Sequence, residues 1–355
     1  MTKTLFSLVH LGDLTLSNRI AMAPMTRNRS PDGVPTDLNA LYYGQRATAG
    51  LLITEGTTPD ASGRGYIDIP GLYNAAQVAG WRKVAEAVHA KGGKIVAQIM
   101  HTGRISHPDF LDGAEPVAPS AVASPGDIIT RTGPKPMPVP RALEAAEIPA
   151  LIATYGRAAT LAVEAGLDGV EIHGANGYLP SQFLSTNANL RTDEWGGSVE
   201  NRARFLLGAV AAAAAAIGPG RVGVRVNPGS TFNNVADTDP EATMTHLATA
   251  LAGQGLAYLH LVGGAYSYDA AGIARQLFDG PLILNGGYDA ARAEADLAAG
   301  RADVIAFGVP FLANPDLPER LRTGAALNAP DPKTFYGGDA RGYTDYPTLD
   351  AVVAA

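Results

Sequence analysis

A group of polar residues follows one short apolar segment in the middle of the chain. The segment 169–172 (GVEI) has the composition of a strand in a covered parallel sheet. His173, Asn176 and Tyr178 come directly after it, and two intervening glycines let the backbone bend so that the three side chains can converge. Because α/β enzymes build their sites at the carboxyl ends of strands, the group predicts an active site. Taken singly, each residue would be better explained by an ordinary surface loop.

A second candidate is a cation inside an apolar strand. Arg225 lies in the segment 222–228 (VGVRVNP), where its neighbours are apolar. An unpaired buried charge is costly, so the guanidinium must find a negative partner or strong hydrogen-bond acceptors. That partner is either a bound ligand or a structural carboxylate such as Glu171 or Glu55, and the sequence favours neither alternative.

The composition favours chemistry on small molecules. The 355 residues carry a net charge of −7, 17% are charged and 46% are hydrophobic. Without a basic stripe, we expect neither a nucleic-acid nor a membrane partner. The absence of cysteine excludes disulfides, thiolate metal sites and cysteine nucleophiles, and no metal site is predicted. The start of the chain is a poor signal peptide, so we expect a soluble, cytoplasmic protein. Either a monomer or a homodimer is compatible with this composition.

Short apolar segments alternate with helical patterns along the chain. Eight such pairs predict an α/β fold, a single (β/α)₈ TIM barrel domain that spans residues 1–355. Residues 5–16 predict an N-terminal β-hairpin, and the Pro- and Gly-rich segment 101–149 after the third strand predicts an inserted lid. A doubly wound sheet is the alternative, but no GxGxxG motif follows a strand. A boundary between two domains is disfavoured because the alternation resumes after the insertion. The predicted strands are 19–22, 51–54, 94–100, 169–172, 222–226, 257–262, 281–284 and 304–307, and the predicted helices are 36–50, 77–90, 148–165, 198–217, 241–252, 289–299 and 317–322.

The last two predicted strands both end in glycine, NGG at 285–287 and FG at 307–308. In barrels, the loops after strands seven and eight often bind phosphate through backbone N–H groups. Tight turns use glycine as well, so this signal is weak by itself. Together with Arg225 in strand five, it indicates a phosphorylated, electron-accepting cofactor, and FMN fits both features.

Long motifs across nearly the whole chain carry a family resemblance. The most specific are HGANGYL at 173–179 and NLRTDEWGGSVENR at 189–202. With them, the chain resembles the Old Yellow Enzyme family of FMN-dependent ene-reductases. The other matching segments are NRIAMAPMTRNRS (18–30), LLITEGT (51–57), GYIDIPGLY (65–73), QIMHTGRISH (98–107), VGVRVNP (222–228), ANPDLPERL (313–321) and FYGGDARGYTDYP (335–347).

The resemblance implies how FMN is bound. Thr26 would hydrogen-bond the flavin O4, and Gln98 and Arg225 would hold the pyrimidine edge, where negative charge gathers on reduction. Pro24, Met25 and Gly56 would lie along the ring. The phosphate would be received by Gly286, Gly287 and Gly308, with Val309 beside it.

The resemblance also implies a ping-pong reaction, in which NADPH reduces the flavin and an activated alkene then takes its place. The alkene would be an enone, enal, maleimide or nitroalkene. His173 and Asn176 would donate hydrogen bonds to its carbonyl oxygen while hydride reaches the β-carbon from flavin N5, and Tyr178 would protonate the α-carbon. The residues implied to line the substrate space are Tyr66, Met100, His173, Asn176 and Tyr336.

The chain departs from the family pattern after the eighth strand. The family usually has FGR there, with the Arg on the FMN phosphate, whereas this chain has FGVP at 307–310. Val309 brings no charge and Pro310 no N–H, so we expect weaker retention of FMN. Met100 and Asn233 replace an aromatic residue and a longer amide, and both changes should alter the shape of the pocket.

Two functions from other classes compete with the reductase. A barrel hydrolase would use Glu55 and Glu171 as paired carboxylates, and Glu171 shares the face of its strand with His173. The second is a flavin-free binding protein on the same fold. Val309 leaves this alternative standing, because it replaces the Arg that the family places on the FMN phosphate. Both would be colourless, whereas a flavoprotein is yellow.

Overall fold

Eight parallel strands form a closed barrel in the computed structural model, which describes residues 3–264 and 267–353. Each strand pairs in parallel with its neighbours in chain order, and the eighth pairs with the first. The structure confirms the predicted (β/α)₈ barrel. The strands are β1 (Ile20–Met22), β2 (Leu51–Ile53), β3 (Ile95–Ile99), β4 (Gly169–Gly174), β5 (Val222–Val226), β6 (Tyr258–Val262), β7 (Leu282–Asn285) and β8 (Val304–Phe307).

An N-terminal hairpin of Val9–Leu11 and Leu14–Leu16 closes the amino end of the barrel, as predicted. Its leucines are buried in one cluster with side chains from the barrel strands. At the turn, Gly12 has a φ of 55° and approaches Gly220 so closely that an added Cβ would lie 2.4 Å from the Gly220 carbonyl oxygen. The opposite, carboxyl end of the barrel is therefore the end that can admit a ligand.

Eleven helices are present in the described part of the chain, and most of them cover the outside of the barrel. Two long helices, Ala75–His89 and Val199–Ile217, begin at polar caps, where Asn74 and Ser198 accept hydrogen bonds from the first turn. None of the helices in residues 3–264 and 267–353 is both long and apolar enough to cross a bilayer. The helices are α1 (Asp37–Gln45), α2 (Ala75–His89), α3 (Ile148–Glu164), α4 (Leu179–Leu184), α5 (Val199–Ile217), α6 (Pro240–Leu251), α7 (Ala270–Leu277), α8 (Ala290–Ala298), α9 (Val309–Ala313), α10 (Leu317–Thr323) and α11 (Leu349–Val353).

The first helix ends earlier than its sequence predicts. A pattern running to 49–50 predicts a longer helix, but α1 stops at Gln45, and the Arg46 N–H bonds the Tyr43 carbonyl in a tighter turn. The fully buried Arg46 guanidinium donates to the carbonyls of Phe311 and Leu312, at 3.0 Å and 2.8 Å. A tertiary contact thus decides where this helix ends. The sequence also missed four short helices of five to eight residues, α4, α7, α9 and α11.

The insertion 101–149 contains a β-hairpin, formed by Asp127–Thr130 and Gly133–Pro136. Its Ile128 is buried in a small apolar cluster with Met100 and Tyr178, beside the carboxyl end of the barrel. A lid role for the hairpin stays a prediction. A second strand pair, Val117–Ala118 with Arg141–Ala142, was not predicted because two-residue strands leave no pattern.

Two buried arginines hold the segment 334–343 against the barrel; we call this segment the C-terminal strap. Arg27 donates to the carbonyls of Phe335 and Gly342, at 2.9 Å and 2.8 Å. Arg29 donates to the Asp339 carbonyl at 3.0 Å. The strap thereby reaches the mouth of the barrel, more than 300 residues along the chain from the arginines that bind it.

Candidate active site

A cavity of about 900 Å³ opens at the carboxyl end of the barrel. Its walls come from the strand ends, the insertion hairpin and the C-terminal strap. Most of the residues that the sequence singles out meet here. Those lining the cavity are Pro24, Met25, Thr26, Tyr66, Gln98, Met100, His173, Asn176, Tyr178, Arg225, Val309 and Tyr336.

His173 is held near the end of β4, in register with Arg225 on β5. Burial, and then the positive charge of Arg225, lower the pKa of His173 to about 3. The imidazole is therefore neutral at physiological pH and carries a single N–H. Its Nδ1 is buried and makes no hydrogen bond to the described residues. Because His173 lines the cavity, its neutral imidazole can bind a polar ligand atom there without bringing a charge.

Asn176 sits in a left-handed conformation, with φ of 59°. Its backbone N–H donates to Asn227 Oδ1 at 3.0 Å, and its Oδ1 accepts from Asn227 Nδ2 at 2.7 Å. Its carbonyl accepts from Asn233 Nδ2 at 2.9 Å. Two neighbouring side chains therefore fix the backbone and the side chain of a residue that faces the cavity.

Tyr178 places its hydroxyl in the same cavity, 3.1 Å from the hydroxyl of Tyr66. The two rings meet edge to face with centroids 6.3 Å apart, and the His173 ring lies 5.3 Å from that of Tyr178. Burial raises the pKa of Tyr178 well above its ordinary value of 10. The phenol is therefore protonated at neutral pH and can act as a proton donor.

A buried polar network lies beneath these residues. Glu171 is fully buried and accepts a hydrogen bond from Gln98 Nε2 at 2.8 Å, and its other oxygen lies 2.7 Å from His260 Nδ1. Burial alone would raise the pKa of Glu171, but His260 and Arg225 lower it overall. Arg225 also donates to Asn285 Oδ1 at 3.1 Å. The sequence left two partners open for this guanidinium, a structural carboxylate and a bound ligand. Glu171 is such a carboxylate and stabilises the charge of Arg225. Arg225 also lines the cavity, where a ligand could reach it.

The paired carboxylates of a hydrolase are not presented to the cavity. Glu55 is fully buried, accepts the backbone N–H of Arg27 at 3.1 Å, and has a pKa raised to about 7 by burial. Glu171 lies within the network described above. Neither lines the cavity. The hydrolase alternative therefore lacks its pair of catalytic carboxylates, because the oxygens of Glu171 are taken up by Gln98 and His260.

Four glycines expected at the cofactor do not line the cavity: Gly56, Gly286, Gly287 and Gly308. Gly56 lies behind Met100, whose Cε would be 2.5 Å from an added Cβ. Val309 does line the cavity and is 44% exposed. Nearby, the Arg292 guanidinium donates to the Gly286 carbonyl at 3.0 Å and lies over the ring of Tyr288. No motif in the sequence singles out Arg292. The phosphate site stays a prediction.

Sequence reasoning missed much of the outer wall. These side chains come from the insertion, from the loop after β5 and from the strap, which no strand pattern places near the site. Two of the motifs that match the family, GYIDIPGLY (65–73) and FYGGDARGYTDYP (335–347), contain some of these wall residues and could have pointed to them. The missed wall residues include Asn28, Asp68, Ile128, Ile129, Phe232 and Phe335.

Residues 4–328 match the model of the NADH:flavin oxidoreductase / NADH oxidase family. The chain belongs to this family. The resemblance to the Old Yellow Enzymes is thereby confirmed, and the protein is a flavin oxidoreductase built on a TIM barrel.

Similar members of the family cover almost the entire chain. A probable flavin mononucleotide-dependent alkene reductase from Leishmania infantum is 44% identical over 349 residues, 96% of each chain. The 12-oxophytodienoate reductase 1 of Oryza sativa subsp. japonica is 42% identical over 96% of this chain and 92% of its own. Among solved structures, morphinone reductase has a TM-score of 0.95 at 50% identity, covering 99% of this chain and 97% of that one. The Old Yellow Enzyme homologue of Zymomonas mobilis has a TM-score of 0.95 at 42% identity, covering 98% and 100%.

Proposed function

We propose that this flavin oxidoreductase is an FMN-dependent ene-reductase that uses NAD(P)H to reduce activated alkenes. The observation that carries the proposal is a single cavity in which His173, Asn176 and Tyr178 face the same space as Gln98 and Arg225. Two of the similar proteins are named as an alkene reductase and an oxophytodienoate reductase, which supports this substrate class.

The residues at the cavity suit a flavin. Thr26 offers a hydroxyl, Gln98 an amide and Arg225 a permanent cation, and all three line the same cavity. A guanidinium matches the edge of a reduced isoalloxazine, where negative charge accumulates. When bound, FMN would accept a hydride from NAD(P)H and later deliver it to the β-carbon of the alkene. In this proposal Gly286, Gly287 and Gly308 contribute backbone donors for the phosphate, while Pro24, Met25 and Gly56 lie along the ring.

His173 and Asn176 bind the carbonyl or nitro oxygen of the alkene. Negative charge develops on this oxygen as the β-carbon gains hydride, and preorganised donors stabilise it at little reorganisation cost. The imidazole is neutral because of its lowered pKa, so one N–H is available, and the Asn176 amide supplies the second.

Tyr178 delivers the proton to the α-carbon. Its raised pKa keeps the hydroxyl protonated while it waits, and the hydroxyl of Tyr66, 3.1 Å away, holds it in place. Tyr66, Met100 and Tyr336 line the remaining substrate space. Enones, enals, maleimides and nitroalkenes each offer an oxygen acceptor conjugated to a reducible double bond.

The visible spectrum of the purified protein tests the proposal. We expect a yellow protein whose flavin absorbance is bleached anaerobically by NADPH or NADH and restored by an enone. Running both nicotinamides side by side determines the reductant; NADPH is the prediction from the sequence, whereas morphinone reductase has been solved with tetrahydroNAD. A colourless protein that cannot be reconstituted with FMN would refute the proposal.

A further inference from the structure

We infer that Asn227 is a positioning residue that sets the orientation of the Asn176 side-chain amide, so that Nδ2 rather than Oδ1 faces the substrate oxygen. The inference rests on the proposed function, because it concerns how one of the two substrate donors is oriented. No motif in the sequence points to Asn227 in this role.

The strand register explains why these two residues meet. His173 on β4 pairs with Arg225 on β5, and Gly174 pairs with Val226. Continued by one residue, the register places Asn227 beside the turn that carries Asn176. Asn227 is 7% exposed, so its amide must find its hydrogen bonds within the protein.

The orientation of both amides follows from the backbone. A backbone N–H can only donate, so the atom of Asn227 that lies 3.0 Å from the Asn176 nitrogen must be the carbonyl oxygen Oδ1. The other atom of the Asn227 amide is then Nδ2, a donor, and it lies 2.7 Å from Asn176, whose atom there must be Oδ1. Asn176 is thereby left with Nδ2 for the cavity that it lines.

The backbone of Asn176 is held as well, so that the amide cannot compensate by moving as a whole. Asn233 donates to its carbonyl at 2.9 Å. The next residue, Gly177, has a φ of 70° and packs so tightly that an added Cβ would lie 2.5 Å from the Phe232 carbonyl oxygen. Rotation of the Asn176 amide by half a turn is the remaining freedom. It would point an oxygen at the substrate oxygen, and Asn227 prevents it.

The substitution Asn227→Asp reverses this constraint with almost no change of shape. A carboxylate still accepts the Asn176 N–H but cannot donate to Asn176 Oδ1. The Asn176 amide should therefore turn so that Nδ2 donates to the carboxylate, and Oδ1 would face the substrate. The phenol p-hydroxybenzaldehyde serves as the probe, because its phenolic oxygen would take the place of the substrate oxygen beside Asn176. In the FMN-loaded enzyme we expect its binding, measured by titration calorimetry, to weaken about tenfold. Enone reduction should slow by about 10²-fold, the typical loss when one oxyanion donor is removed.

A double-mutant cycle separates this effect from general damage. In an Asn176→Ala background, Asn227→Asp should change ligand affinity and enone reduction by less than about twofold, because the amide that it reorients is gone. Asn187→Asp is the matched control, since Asn187 also accepts a backbone N–H through Oδ1 and donates through Nδ2, but its partners are Ala236 and Asn234 and it does not line the cavity. We expect it to have a clearly smaller effect than Asn227→Asp.

Several outcomes would overturn the inference. It fails if Asn227→Asp binds the phenol and reduces enones like the native enzyme. It also fails if the substitution costs as much in the Asn176→Ala background, or if Asn187→Asp reproduces the full loss. Failure of the proposed function looks different, because the native enzyme itself would then reduce no enone, while the phenol affinities of the variants would still report on the amide pair.

Discussion

The hydroxyl of Tyr178 is the group on which the proposed chemistry can be tested most directly. Tyr178→Phe removes a single oxygen and keeps the ring, which is 8% exposed and packs edge to face on Tyr66. Substrate should therefore still bind, and only proton delivery should be lost. General acid catalysis is worth about 10²- to 10⁴-fold, so alkene reduction should slow by that factor. Reduction of the flavin by NAD(P)H requires no proton from this residue and should stay nearly unchanged.

Stopped-flow absorbance follows the two half-reactions separately, with Tyr66→Phe as the matched control. That variant keeps the acid and removes only its 3.1 Å hydrogen-bond partner. Such a bond is worth about 0.5–1.5 kcal/mol, so the control should lose at most about tenfold. Because the pKa of Tyr178 lies well above 10, the ratio of native to Tyr178→Phe rates should not change between about pH 6 and pH 9. Equal slowing of both half-reactions, or an equal loss in Tyr66→Phe, would refute the assignment of Tyr178 as the acid.

Three further predictions concern the cofactor and the buried acids. Val309→Arg should increase the flavin retained after dialysis, since a charge-assisted hydrogen bond to phosphate is worth about 1.5–3 kcal/mol; full retention by the native protein, unimproved by the substitution, would contradict this. Glu171→Ala should lower the free energy of unfolding by about 3–5 kcal/mol in urea, because it leaves Gln98 and His260 with unpaired buried groups; a loss below about 1 kcal/mol would show that the network contributes little. Burial raises the pKa of Glu55 from its ordinary 4.5 to about 7, so the folded protein holds a proton that the unfolded chain releases. The free energy of unfolding of the native protein, measured relative to that of Glu55→Gln, should therefore be highest below about pH 4.5 and fall by about 3 kcal/mol between pH 4.5 and pH 7. Parallel pH profiles of the two proteins would disprove the pKa shift of Glu55.

The barrel could be predicted from sequence because its strands are buried on both faces. Val304–Phe307 matches its predicted bounds, since a continuous apolar segment between helices has one stable place in such a fold. The end of α1 could not be predicted, because the Arg46 side chain that takes part there bonds carbonyls more than 260 residues away. Local patterns carry no information about such contacts.

The candidate site also contains residues that could be predicted from the sequence and residues that could not. His173, Asn176 and Tyr178 follow a strand end, and barrel geometry alone brings strand ends together. Asn227 has its role only through the register between β4 and β5, which no local pattern reveals. Strand alternation gives the face on which Glu171 lies but not its depth within the barrel, so the sequence alone could not show that Gln98 and His260 take up its oxygens.

The attachment of the C-terminal strap has a consequence for biosynthesis. Arg27 and Arg29 leave the ribosome long before the carbonyls they bind and the wall residues Phe335 and Tyr336, which lie about 300 residues later in the chain. During translation, the barrel strands can pair while one side of the pocket is still missing. A nascent chain stalled before residue 334 would therefore lack part of the wall of the cavity, and tight ligand capture must wait until the strap has been made and has docked.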